Sequence, residues 1–353
     1  MQSHQPKLVS VVTPVYNGAR YLVECIESVL AQTYNEFEYV ICENHSTDET
    51  PAIVARYAAA DARLRIVSPE RFLPQVANWN FAVRQISPAS AYVKFVHADD
   101  TLEPGCLERM VALADAHPSV GFVGSLRRTS DGEIDLDGVP TSVEVVPGRW
   151  LVRHQLLGGT YTTGPPSATL MRRDLVPGDG PLYDESYLHT DDALSYTALL
   201  DWDFGYVGEP LTTIRLHAAS TTTWATRVGT WLPEHIRMAL EVGPHVLAPQ
   251  EFDRAVARWE RGYALTLLKW TLTLKLVRDR EVQRYHRRAL ALLARAARGA
   301  GRPLSRTLRA YARVLGEPPA SENASMSAEV TPVRGAGTAQ GDDVPSLAPG
   351  PPA

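Results

Sequence analysis

The chain of 353 residues carries 35 Lys and Arg against 40 Asp and Glu, a formal charge of -5, with 44% hydrophobic and 21% charged residues. That balance is ordinary for a globular protein of about two domains, or one large domain with appendages. No run reaches about 18 uninterrupted apolar residues, residues 1–7 are polar so that no secretion signal is expected, and three scattered cysteines without a C-x-x-C pair neither build a disulfide scaffold nor hold zinc. Membrane-spanning, secreted mini-protein, coiled-coil and collagen-like classes are excluded, and a reducing, cytoplasmic compartment is expected.

Residues 8–13 (LVSVVT) form a short β-branched apolar run, the pattern of a buried parallel strand, and residues 14–18 end it. Residues 21–31 place Leu22, Cys25, Ile26 and Val29 on one helical face. Residues 37–42 read as a second strand and 44–47 as a loop. Residues 48–60 read as a helix with Thr47 at its cap and Pro51 in its first turn. A strand at 64–67, a helix at 76–86, a strand at 92–96, a helix at 104–116 and a strand at 120–124 follow. Strands alternating with helices of this length predict a doubly wound α/β sheet, whose ligands bind at the carboxyl ends of strands. Residues 14–17, 43–46 and 97–100 all follow predicted strands and should meet on one rim. Further on, Asp131-Gly132 marks a hairpin turn. Residues 190–200 read as a helix, 205–207 and 211–216 as strands, and 230–315 as a helical region.

Charge is segregated along this order. Residues 1–250 hold 18 basic and 30 acidic side chains, residues 251–316 hold 16 and 5, and residues 317–353 hold 1 and 5. The last stretch has seven prolines and no aromatic residue. It lacks the apolar surface to offset the entropy of ordering and is expected to be a disordered tail. The basic helical segment has two readings: a peripheral contact with anionic lipid, or a helical lid or homodimer contact. The second is favoured, because an apolar stripe is needed to bury the helices against the body.

Common cofactor signatures are missing. No G-x-G-x-x-G follows the first strand, and the chain has no P-loop, no G-x-S-x-G elbow and no H-E-x-x-H zinc helix. The strand ends carry acid instead: Glu43, Asp99 and Asp100, and later Asp191 and Asp192. Asp99 and Asp100, adjacent after a buried strand, repel each other unless a cation is present. A hard divalent ion, Mg2+ or Mn2+, would satisfy them and keep positions open for phosphate oxygens. The alternative is that Asp100 and Thr101 begin a loop or cap a helix. Cys42 reads as a small buried apolar residue rather than a nucleophile.

Val9-Ser10-Val11-Val12-Thr13-Pro14-Val15-Tyr16-Asn17 resembles the opening of family 2 glycosyltransferases of the GT-A fold. Glu43-Asn44-His45-Ser46-Thr47-Asp48-Glu49-Thr50 resembles their second-strand motif, D-[DN]-x-S-x-D-x-T. Residues 92–100 resemble the strand that ends in their DxD motif, and Leu102-x-Pro104-x-x-Leu107 continues the match. Asp191, residues 205–211 and Arg215-x-His217 are similar to the acceptor-side region. The likeness covers about residues 8–217. It implies a GT-A-like α/β domain with a doubly wound mixed sheet over residues 1–225, divided into a nucleotide-sugar half (8–125) and an acceptor half (126–225). A helical basic region (226–316) and the tail (317–353) would follow. It also implies transfer of a sugar from a nucleoside-diphosphate sugar to an acceptor hydroxyl with inversion. The acceptor would be a glycan, a lipid-linked molecule or a small molecule. No nucleic-acid partner and no integral membrane segment are expected, and the lipid reading of 226–316 would place the protein at the inner face of the membrane.

The resemblance also assigns roles. Asp99 is the metal ligand, with His97 and His217 beside it, and Mg2+ or Mn2+ is the cofactor. Asp191 is the general base and Asp192 the alternative, against a plain reading in which both acids favour a helix N-terminus. Pro14, Tyr16 and Asn17 shape the nucleotide pocket, and Glu43 and Asn44 contact base or ribose. Asn78 or Asn80 contacts the donor or caps a helix, and His97 and Asp100 lie near the diphosphate or sugar. Two positions depart from the family pattern: Glu43 stands where Asp is usual, and His97 where the first Asp of DxD is common. Two other functions compete, a non-catalytic nucleotide-sugar-binding protein and a sugar-phosphate nucleotidyltransferase. The latter would want a Gly-rich, basic loop, which residues 14–20 are not.

Overall fold

The computed structural model describes residues 6–135, 139, 141–159, 163–218 and 220–316. The apolar runs become β1 (Val9–Val15), β2 (Phe37–Glu43), β3 (Leu64–Val67) and β4 (Tyr92–Phe95), joined through α1 (Ala19–Leu30), α2 (Thr50–Ala60) and α3 (Gln75–Val83). All four strands run parallel. Then come β5 (Thr101–Leu102), α4 (Cys106–Ala116), β6 (Val120–Thr129), β7 (Ile134–Asp135) and β8 (Val145–Val146). They lead into α5 (Gly148–Leu156), β9 (Thr169–Arg172), α6 (Thr190–Ala198) and β10 (Asp203–Ile214). One sheet runs in the order β3-β2-β1-β4-β9-β6-β10-β5, with β7 on β6 and β8 on β10. β9 is antiparallel to both neighbours, which makes the doubly wound sheet a mixed one.

β1 runs two residues past its predicted end and takes in Pro14. Val12 O bonds Val96 N on the β4 side, and Val15 O bonds Asn44 N on the β2 side. Alternation therefore turns the nitrogen of Pro14 towards β4, whose pairing stops at Val12. The missing N–H costs no ladder bond there. β10 joins the two strands expected at 205–207 and 211–216. Register shifts on either side of Pro210 let it stay in the sheet. The predicted hairpin at Asp131-Gly132 is the β6–β7 turn, with Gly132 at φ 92°.

Alternate residues of β1 face opposite layers. Val11 packs with Leu22, Ile26, Leu107 and Met110 of α1 and α4. Val12 belongs to the other layer, with Val83, Leu151 and Tyr196 of α3, α5 and α6. The same layer holds the C-terminal helices α7 (Thr221–Val228), α8 (Trp231–Val242), α9 (Pro249–Leu272), α10 (Lys275–Arg278), α11 (Arg280–Gly299) and α12 (Arg306–Leu315). Ile236, Leu240, Tyr263 and Leu290 lie in one buried cluster with Val12 and Phe95. Thus the helical region closes one face of the sheet. α7 ends in a left-handed Gly229, φ 74°, where a Cβ would sit 2.2 Å from the Trp270 ring. No described helix is long and apolar enough to cross a membrane. The expected tail, 317–353, lies outside the described residues.

Candidate active site

β4 delivers the acidic cluster. The backbone N–H of His97, just past the strand, donates to Ser167 Oγ at 2.9 Å, and Asp100 N returns to His97 O at 3.0 Å. That turn brings ligand atoms of His97, Asp99 and Asp100 within 4.8 Å of one another. α1 begins against this segment at Gly18, where a Cβ would meet Val15 Cγ2 at 2.6 Å and Ala98 Cβ at 3.4 Å. The end of β10 closes the cluster from the other side. His217 Nε2 is 3.0 Å from Asp99 Oδ2, and Arg215 N donates to Asp100 Oδ1 at 3.0 Å. Trp79 stacks on the His97 ring at 5.0 Å and packs on Phe95 and Tyr183.

The cluster is electrostatically uneven. Burial and the charge of Asp99 push Asp100 up to about 7. Burial also raises Asp99, but the His217 bond and the charges of His97 and His217 outweigh it and hold its carboxyl below the usual range. Burial lowers His97 against the pull of Asp99 and Asp191. His97 Nε2 is buried without a hydrogen-bond partner, and Nδ1 is 3.8 Å from Asp100 Oδ2. An orphaned imidazole nitrogen beside two carboxylates, one of them costly to ionise, is a donor set that a divalent cation fits. Mg2+ or Mn2+ suits the carboxylate oxygens.

α6 supplies the second acid pair in its first turn. Asp192 is 2% exposed, and its charge adds to burial in raising the pKa values of Tyr196 and Glu234. Asp191 instead lines a small cavity with Thr163, Pro166, Tyr183 and Ser195. Burial and the Asp192 charge push Asp191 up to about 7, against the opposing charge of His97. The cluster after β4 and the start of α6 are thus within electrostatic reach, although 90 residues lie between Asp100 and Asp191 in the chain.

The remaining predicted residues divide into two groups. Tyr16, Asn17 and Glu43 stand at the carboxyl ends of β1 and β2. Tyr16 meets Phe72 edge-on at 4.8 Å. Asn17, at φ 51°, accepts from Thr47 N through Oδ1 at 2.8 Å, and Glu43 Oε1 accepts from Ser46 N at 2.6 Å. Pro14 is buried in β1. Asn44 spends both amide ends on the backbone of Leu73, at 2.8 and 2.9 Å, and Asn80 does the same with Tyr183, at 2.9 and 2.8 Å. Asn78 Oδ1 accepts from the Cys42 thiol at 3.1 Å, and burial pushes that thiol up to about 12, so Cys42 is no nucleophile. Sequence reasoning gave no role to Ser167, Trp79 or Arg215. Arg215 was visible in the Arg-x-His match; Ser167 lies in an irregular stretch with no periodic signal.

A mixed sheet of this order with an acidic rim defines the GT-A class of fold. TarS of S. aureus, in a crystal structure with UDP, is 20% identical at a TM-score of 0.60, covering 87% of this chain and 88% of that one. The mannosyltransferase PcManGT of Pyrobaculum calidifontis, in complex with GDP-Man and Mn2+, is 19% identical at a TM-score of 0.53, covering 89% and 85%. Uncharacterized protein MT1568 of Mycobacterium tuberculosis is 29% identical over 265 residues, 71% of this chain and 81% of its own length. Further curated relatives, several of them named glycosyltransferases, match over 106 to 129 residues, and the chain spans 11% to 49% of their lengths. Residues 10–177 match the family model Glycosyl transferase family 2, so nearly half of the chain is similar to that family.

Proposed function

We propose that this protein transfers a sugar from a nucleoside-diphosphate sugar to an acceptor hydroxyl in one displacement with inversion. The observation that carries the reading is the gathering of His97, Asp99 and Asp100 within 4.8 Å of one another after β4, with Asp191 near enough for its charge and that of His97 to act on each other. The family-model match over residues 10–177 and the nucleotide ligands named for the two fold neighbours support the donor class.

Asp99, with His97 and His217, would hold Mg2+ or Mn2+, which supplies Lewis-acid stabilisation of the departing diphosphate. Tyr16, Asn17 and Glu43 form the nucleotide end of the groove, with Pro14, Asn44 and Asn78 fixing its walls. Asp100 holds the Arg215 backbone and faces the sugar side. Arg215 pairs with Glu24 through Nη2, and its buried Nη1, with no hydrogen-bond partner among the described residues, would meet diphosphate oxygen. Asp191 accepts the acceptor hydroxyl's proton on a carboxylate oxygen as the hydroxyl oxygen bonds the anomeric carbon. The bond from that carbon to the diphosphate breaks in the same step, and the nucleoside diphosphate leaves with the electron pair. Asp192, buried behind Asp191, tunes it by charge.

Thermal-shift titration with nucleoside diphosphates and nucleotide sugars, with and without Mn2+, tests the donor assignment. The reading expects stabilisation by one nucleotide class that depends on the metal and is lost in Asp99→Asn. No stabilisation by any nucleotide would overturn it.

A further inference from the structure

α9 buries Tyr263 and Leu267. At 3.6 residues per turn, Leu265, Leu268 and Leu272 lie on the opposite face. All three are exposed, Leu272 to 75%. The apolar row continues through the next turn with exposed Leu274 and with Val277, 62% exposed. The stripe that packs the helices onto the body is thus a different face of α9, and this row is left over.

Charge beside the row has one sign. Residues 261–278 contain four basic side chains and no acidic one. Lys269 is exposed between the apolar residues and Arg278 directly after the last of them. Of the acids that follow, Asp279 and Glu281 are both paired with Arg227, and Asp279 also acts on Lys275, which leaves Lys269 and Arg278 as the exposed cations beside the row. Exposed leucines interleaved with cations fit the interface of an anionic bilayer, where the apolar groups enter the acyl boundary and the cations meet lipid phosphates. A second copy docking through a two-fold axis would set this cationic row against itself.

We propose that the end of α9 and the turn through α10 form a peripheral docking surface for an anionic lipid membrane. The turn is tied to the catalytic side. Trp224 of α7 donates to Glu281 at 2.6 Å, and α7 begins four residues after His217. One helix therefore separates the lipid-facing row from the His217–Asp99 contact, and docking would hold the rim near the bilayer surface. The inference does not depend on the transfer reaction.

Flotation of the full chain with vesicles tests it, comparing phosphatidylcholine containing one-third phosphatidylglycerol with phosphatidylcholine alone. The chain should float with the anionic vesicles only, and less as salt rises. Leu272→Glu/Val277→Glu and Lys269→Glu/Arg278→Glu should each weaken partition roughly tenfold or more. These positions are exposed, so an unchanged near-ultraviolet circular dichroism spectrum should accompany the loss. The proposal is overturned if the full chain stays unbound to anionic vesicles, including the case where only removal of residues 317–353 uncovers binding. Equal flotation of the variants also overturns it, as does a dimer in solution that Leu272→Glu dissociates. Flotation needs no donor, so an inactive transferase that floats would sink only the functional reading.

Discussion

Asp191 and Asp192 are neighbours in sequence with opposite surroundings. Asp191 borders a small cavity, while Asp192, in the same first turn of α6, is buried. Asp191 must be ionised to accept a proton. With its pKa pushed up to about 7, kcat/KM should rise with pH through that value and then level off, measured at saturating metal. Stability should run the other way. The folded pKa lies above the ordinary 3.8, so the native state holds the proton more tightly than the unfolded chain. The stabilisation is complete below about 4 and fades as pH rises towards 7. Asp191→Asn should therefore unfold at a higher temperature than wild type at alkaline pH, with little difference in acid. Its transfer rate should fall about 10²–10⁴-fold with nucleotide affinity retained. Unchanged turnover, or an identical pH dependence of melting, would contradict the role.

Elements built on period and β-branched runs could be read directly, and those held by tertiary contact could not. β1, β2 and β4 are buried parallel strands, so their apolar runs are unmistakable, and α1 shows its face in Leu22, Cys25, Ile26 and Val29. β9 sits in the middle of the sheet but has four residues and no alternation of its own. Its place is fixed by β4 and β6 on either side and by Lys94, which is fully buried and donates to the carbonyls of Ser167 and Thr169 at 2.6 and 3.1 Å. Of the site, the acids were legible from their strand-end positions. The bonds that hold them were not, because Ser167 and the Arg215 backbone act from distant segments. Asn80→Ala removes two hydrogen bonds that join α3 to Tyr183 and leaves buried backbone groups unpaired. It should cost about 2–3 kcal/mol in urea unfolding. A loss under about 0.5 kcal/mol would show that the link is not structural.

Over the whole molecule, the formal charge of -5 averages an acidic body and a basic helical region, and it describes neither. The two parts nevertheless share one buried layer, in which Ile236, Leu240, Tyr263 and Leu290 join Val12 and Phe95. Unfolding should therefore be a single cooperative transition, with coincident fluorescence and circular dichroism curves. A fragment ending at residue 225 should expose that apolar face and fail to fold. A fragment that melted cooperatively on its own would show that the helices are an appendage.

The most direct test follows a nucleotide sugar by NMR in the presence of Mn2+ and acceptor extract. Wild type should consume the donor, release the nucleoside diphosphate and yield a glycoside with the opposite anomeric configuration. Asp191→Asn should bind the same nucleotide without consuming the donor. A product of retained configuration, or donor that is bound but never cleaved by wild type, would contradict the assignment of His97, Asp99, Asp100 and Asp191 to an inverting transfer site.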